Sequence, residues 1–159
     1  MKYNETWKNM AFITLLIQIA LFAVDMYFMS FLPIYFIIIL IANFFISLIL
    51  FTREIIHKEK IRFFTLKIIA IIVALVTGYA DFYFQLSRSY LHVFKDDIAL
   101  SAIDSLYFSI STFTTTGYGD IYPISTSAKM FAASEMVLGY IVSSFVVAIL
   151  VTKFLDEKN

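Results

Sequence analysis

The chain has 159 residues, 61% hydrophobic and 15% charged, with 12 basic and 12 acidic side chains in balance. That is too apolar for an ordinary soluble domain. Its basic residues are spread over loops rather than gathered in a stripe, so nucleic-acid binding has no support. Cysteine is absent, which excludes a disulfide framework, a thiolate metal site and a cysteine nucleophile.

A helix needs about 20 residues to cross the hydrocarbon core of a bilayer. Four apolar runs reach that length: Met10–Met29, Pro33–Phe51, Phe63–Leu86 and Ala128–Lys153. A buried soluble bundle would need a polar stripe on most helices, and Ile34–Leu50 has almost none. The first run is longer than the apolar core of a signal peptide and lacks a small-X-small cleavage site, so it reads as a retained span. Asp25 falls near its outer end, and Asn43 in the second run is suited to hydrogen bonding across helices. Neither run carries arginines at every third position, as a voltage sensor requires.

The loop between runs two and three carries Arg53, His57, Lys58, Lys60 and Arg62, which marks it as cytoplasmic. Lys2 and Lys8 at one end and Lys153 and Lys158 at the other place both termini on the same side, as an even number of spans demands. The expectation is a multi-pass protein of the cell membrane with cytoplasmic N- and C-termini and no soluble domain after Val151. Trp7, Tyr27, Tyr35, Tyr83 and Tyr90 lie near span ends, where aromatic rings anchor at the headgroups. Asp81 and His92 are candidates for tuning outer surface charge or sensing pH.

Ile98–Phe113 is too short to span but suits a re-entrant helix, with Asp96 or Asp97 as its cap and Ser101 and Asp104 continuing a polar face. Such a helix points its partly negative C-terminal end toward the bilayer centre. Thr114-Thr115-Thr116-Gly117-Tyr118-Gly119-Asp120 then returns as irregular backbone. At membrane depth this is tolerated only where protein buries it or it lines water. One such loop per chain implies several chains around a common axis. Two glycines one residue apart let the backbone aim successive carbonyls the same way, and a ring of carbonyls can replace the water shell of an ion.

This run, followed by Tyr122-Pro123 and flanked by two spans, resembles the selectivity filter of the potassium-channel family. The resemblance covers about residues 63–154. It implies an all-α membrane protein in two parts: an N-terminal two-helix hairpin with its basic loop at 1–62, and a pore module at 63–159. The chain resembles a small prokaryotic-type member with two extra N-terminal helices, assembled as a homotetramer in lipid. By the family pattern, K+ ions are held by the carbonyls of Thr115, Thr116, Gly117 and Tyr118 and the Thr115 hydroxyl, with Gly119 closing the filter. Tyr118 points away from the ion toward the pore-helix aromatics Tyr107 and Phe108, and Asp120 and Tyr122 sit at the outer mouth. Met136, Tyr140, Ser143 and Val147 form one helical stripe that lines the cavity below. Gly139 lies 19 residues past Asp120, where the family has a hinge glycine, and reads equally as a packing contact.

Two departures stand out. Thr116 replaces the usual Val or Ile, which bears on filter stability. Ser111 stands where some bacterial members carry a glutamate that braces the filter, with Ser109 and Thr112 nearby. Glu135 is a carboxyl at membrane depth, read as a brace from the inner helix to the pore helix. The function implied is passive, selective K+ conduction without an organic cofactor or enzymatic chemistry, with control by lipid, pH, the filter itself or a separate regulatory protein. The alternatives are a non-selective monovalent cation channel, a subunit of a potassium-uptake transporter, and a noncatalytic membrane scaffold.

Overall fold

The computed structural model describes Ile13, Leu16, Ile17, Ala20 and residues 61–156, without the side chains at 61–67, 149, 152, 153, 155 and 156. The four early positions are helical. The rest of the first two expected spans, Asp25, Asn43, the basic loop and both chain ends lie outside the described residues.

Three α-helices follow: α1 at Ile61–Ser89, α2 at Ala102–Phe113 and α3 at Thr126–Asp156. No strand occurs among the described residues. The chain divides into two compact units, Met1–Gly78 and Tyr79–Asn159, with the boundary inside α1. In the first unit, Ile68, Ala70, Ile71, Leu75 and Val76 are buried. The Thr77 hydroxyl donates back to the Val73 carbonyl at 2.7 Å, the way a helix accommodates a threonine in an apolar stretch.

Two stretches are long and apolar enough to cross a membrane, Ile68–Ser89 with 22 residues and Thr126–Ala148 with 23. At a rise of 1.5 Å per residue each covers about 33–35 Å, just over the ~30 Å hydrocarbon core. Helix α2, with 12 residues, covers only about 18 Å.

In the second unit the end of α1 is fixed by Arg88, whose guanidinium lies 4.4 Å from the Phe84 ring centroid and complements the partly negative helix end. The loop beyond α1 is pinned to the segment that precedes α3. Phe94 and Pro123 form an isolated antiparallel bridge, the Lys95 N–H donates to the Tyr122 carbonyl at 3.1 Å, and the Ile124 N–H donates to the Val93 carbonyl at 2.8 Å.

Helix α2 starts later than the position of the acids suggests. Asp96 and Asp97 have positive φ inside a short 3-10 turn, a backbone that cannot lead into an α-helix. The cap is Ser101: its hydroxyl accepts from the Asp104 N–H at 3.1 Å, and the Asp104 carboxylate accepts from the Ser101 N–H. This reciprocal pair satisfies two orphan donors of the first turn. Helix α3 starts two residues before the expected Ala128, where the Ser125 hydroxyl accepts from the Ala128 N–H at 3.3 Å.

An aromatic cluster holds α1 to α2. Tyr83 meets Phe108 at 4.8 Å and Phe94 at 6.1 Å between centroids, and Phe94 meets Phe108 at 5.4 Å, all edge to face. This is the favoured geometry for ring quadrupoles. Tyr83 is therefore not a headgroup anchor but a wholly buried core residue. Asp81 is also wholly buried and accepts from the Gln85 amide one turn on, so it does not tune surface charge. His92 does lie at the surface, its Nδ1 2.9 Å from Asp97 Oδ1.

Candidate functional site: the Thr114–Asp120 loop

The loop leaves α2 at Thr114, and its backbone alternates in hand. Thr115, Gly117 and Gly119 have φ of 57°, 56° and 80°, whereas Thr116 and Tyr118 are not among the positive-φ residues. Glycine accepts the left-handed region without a Cβ penalty. Threonine, being β-branched, does not, so Thr115 is a strained position of the kind found at functional sites.

Hydrogen bonds fix which way the peptides face. The N–H of Thr115 donates to the Thr112 carbonyl at 3.0 Å, and those of Thr116 and Gly117 donate to the Ser111 carbonyl at 2.9 and 3.2 Å. Three successive loop donors thus turn toward the end of α2. In a trans peptide the C=O of one residue opposes the N–H of the next, and no peptide described is cis. The carbonyls of Thr114, Thr115 and Thr116 therefore face away from α2, and the glycines at 117 and 119 continue the alternation. Among the described residues no backbone hydrogen bond ends on the carbonyls of residues 115–118.

The threonine hydroxyls support this strand. Thr114 Oγ1 donates to the Ile110 carbonyl at 2.8 Å. Its one proton being committed there, the 2.8 Å contact between Thr114 Oγ1 and Thr116 Oγ1 is read as donation from Thr116. The hydroxyl that distinguishes Thr116 from valine thus ties the loop to its own first residue. Ser111, in the brace position, turns its hydroxyl to the Phe108 carbonyl and serves the loop through its backbone instead.

The outer part of the loop is held by one side chain. The Tyr107 ring stacks on Tyr118 with centroids 6.0 Å apart and planes 11° apart. Its hydroxyl donates to Asp120 Oδ2 at 2.8 Å. That bond holds the Asp120 carboxyl below its ordinary pKa and pushes the Tyr107 hydroxyl up. Of the expected aromatic pair, only Tyr107 reaches the loop, since Phe108 is buried in the cluster with Tyr83. Tyr122 is partly exposed, and the Lys95 ammonium lies 5.4 Å from its ring centroid.

On α3, Glu135 is wholly buried. It accepts from Ser109 Oγ of α2 at 2.5 Å and from Tyr83 Oη of α1 at 2.7 Å. One turn on, Gly139 packs so closely on α2 that a Cβ there would run into the Phe113 carbonyl. Ser109 facing Glu135 and Phe113 facing Gly139 mean that α2 and α3 run side by side in the same direction. The base of the loop lies at the level of Gly139. Met136, just before that level, and Tyr140, Ser143 and Val147 beyond it are all exposed on the single chain.

The sequence reading makes Tyr83 a headgroup anchor and misses its bond to Glu135. Its only local signal is that Tyr79 and Tyr83 share a helix face, and both hydroxyls reach α3, at Ser134 and Glu135.

Two helices long and apolar enough to cross a membrane thus flank a short capped helix and a loop of alternating hand. Residues 75–156, about half of the chain, match the family model described as "Ion channel". Short segments are similar to larger proteins. A protein of Methanothermus fervidus is 52% identical over 40 residues, 25% of this chain and 6% of that one. The voltage-gated potassium channel Kch of Escherichia coli is 49% identical over 39 residues, 24% of this chain and 9% of Kch. Two pore potassium channel b of Oryza sativa subsp. japonica is 47% identical over 38 residues, 24% and 11% of the two chains. The matched segments thus cover about a tenth or less of these relatives' lengths. The chain belongs to the ion channel family.

Proposed function

We propose that this chain is one subunit of a homotetrameric, potassium-selective channel of the cell membrane, with a pore module at 63–159 and a two-helix hairpin at 1–62. The observation that carries this reading is the loop backbone. Its N–H groups at Thr115, Thr116 and Gly117 are committed to α2, leaving a ladder of carbonyls on the opposite side. Four such ladders around an axis replace the hydration shell of K+ with stacked oxygen rings, completed by the Thr115 hydroxyl. One ladder alone is a quarter of a site exposed to lipid, which membranes do not tolerate.

The exposure of α3 supports the assembly. Only 22% of its spanning window is buried, against 61% for α1. Met136, Tyr140, Ser143 and Val147 then line the water-filled cavity, where the Tyr140 and Ser143 hydroxyls are solvated. Asp120 and Tyr122 form the outer mouth, and Glu135 and Gly139 set α3 against α2. Both termini lie in the cytoplasm, and transport is passive, without covalent chemistry. The test is the reversal potential of purified protein in a planar bilayer under opposed K+ and Na+ gradients. A value close to the K+ equilibrium potential is expected, and equal permeability of the two ions overturns the selectivity.

A further inference from the structure

Three helices meet on one side chain. The two oxygens of Glu135 are divided between Tyr83 of α1 and Ser109 of α2. An apolar residue would fill this buried position without the cost of burying a carboxyl. What a carboxyl adds is two acceptors on one rigid group, so that hydroxyls from two helices are held at a fixed separation. Next to it the Tyr79 hydroxyl lies 2.9 Å from Ser134 Oγ, a second tie from α1 to α3.

The knot leads directly to the filter. Ser109 is two residues before Ser111, whose carbonyl holds the N–H groups of Thr116 and Gly117. Displacing α1 or α3 relative to α2 would therefore pull on the peptide units whose carbonyls form the central rings. Gly139 reinforces this, because its contact with Phe113 leaves no slack between α3 and the last turn of α2.

We propose that Tyr83, acting through Glu135 and Ser109, is a positioning residue for the filter: the outer helix sets how long the filter stays conducting. This rests on the channel reading above. The Tyr83 ring is fixed independently by Phe108, Phe94 and Phe82, so Tyr83→Phe removes the hydroxyl and leaves the packing.

The experiment compares wild type, Tyr83→Phe, Glu135→Gln, Glu135→Leu and the Tyr83→Phe/Glu135→Leu double variant, as purified full-length protein in lipid. Two readouts are taken: the decay time of K+ current when external K+ is lowered, and hydrogen exchange at the Thr116 and Gly117 amides. Tyr83→Phe is expected to change the decay time at least threefold and to speed exchange of both amides by a similar factor, with oligomer melting little altered. Glu135→Gln, which keeps one acceptor and gains a donor for Ser109, should fall between wild type and Glu135→Leu. The double variant should match Glu135→Leu alone. Unchanged exchange and decay in Tyr83→Phe overturn the proposal, as does a shift in melting alone or an effect that multiplies with that of Glu135→Leu. Exchange is read without current, so a wild type that conducts no K+ overturns the channel reading separately from this one.

Discussion

The two halves of the Thr114–Asp120 loop are held by different means. From Thr114 to Gly117 the strand is tied by main-chain bonds to the carbonyls of Ile110, Ser111 and Thr112. From Tyr118 to Asp120 it is held by the stack and the hydrogen bond of Tyr107. Main-chain bonds are indifferent to side-chain identity but demand a particular backbone. Side-chain clamps tolerate backbone variation but depend on one ring and one hydroxyl. The inner half should therefore fail through conformation and the outer half through chemistry.

The largest effect is expected at the inner half. At Gly117 φ is +56°, and nothing lies within 4 Å of where a Cβ would stand. The cost of Gly117→Ala is thus conformational, about 1–2 kcal/mol per residue, or roughly 4–8 kcal/mol over four copies of a tetramer. K+ current per reconstituted tetramer should fall by about 1,000-fold or more, since each 1.4 kcal/mol is tenfold. Current within a few-fold of wild type would mean that the left-handed backbone is not needed for conduction.

An intermediate effect is expected at the clamp. Tyr107→Phe keeps the stack on Tyr118 and removes the bond to Asp120. The Asp120 carboxyl should then titrate nearer its ordinary value of 3.8, as read by carboxyl carbon NMR. The sign follows from the depressed value in the folded protein. The bond contributes fully above the ordinary carboxylate pKa and is lost as pH falls through the lower, folded one. Acidifying the outer solution from pH 7 to 5 should therefore leave the wild-type clamp intact. K+ selectivity should survive Tyr107→Phe, and the outer half should lose conduction a few-fold faster under low K+. An unshifted Asp120 titration would show that the bond is not what depresses it.

The smallest effect lies beyond the loop, at Tyr122. External tetraethylammonium should block, because an aromatic ring attracts a quaternary cation by about 0.5–1 kcal/mol at an exposed site. Tyr122→Val should weaken that block a few-fold. An unchanged half-blocking concentration would place the ring away from the mouth.

What was legible in the sequence follows the same division. Spans are written as long apolar runs, so Phe63–Leu86 falls within α1 and Ala128–Lys153 within α3. In the loop, left-handed backbone is written as glycine at 117 and 119, but the third such position there is Thr115, which no composition rule flags. The Asp96–Asp97 pair beside an apolar run looks like a helix cap, yet Ser101 with Asp104 holds that place. Both signals are local and similar, and only the backbone at 96 and 97 decides between them. A carboxyl at position 135 is conspicuous by depth alone. Its partnership with Tyr83, 52 residues earlier, has no local pattern, because pairing between helices leaves no period in either one.

The pinning of Phe94 to Pro123 makes the excursion between them a round trip of fixed length. Helix α2 descends about 18 Å over its 12 residues. The chain beyond Thr114, which still caps α2, must return to the bridge by Pro123, and an extended chain reaches at most ~3.3–3.6 Å per residue. The lengths of the two legs are therefore coupled. An insertion in either leg alone has nowhere to go except into a bulge, whereas a matched pair of insertions would simply deepen the descent. In the channel proposed above, the length of the helix behind the loop would thus limit the number of ion rings that can be stacked.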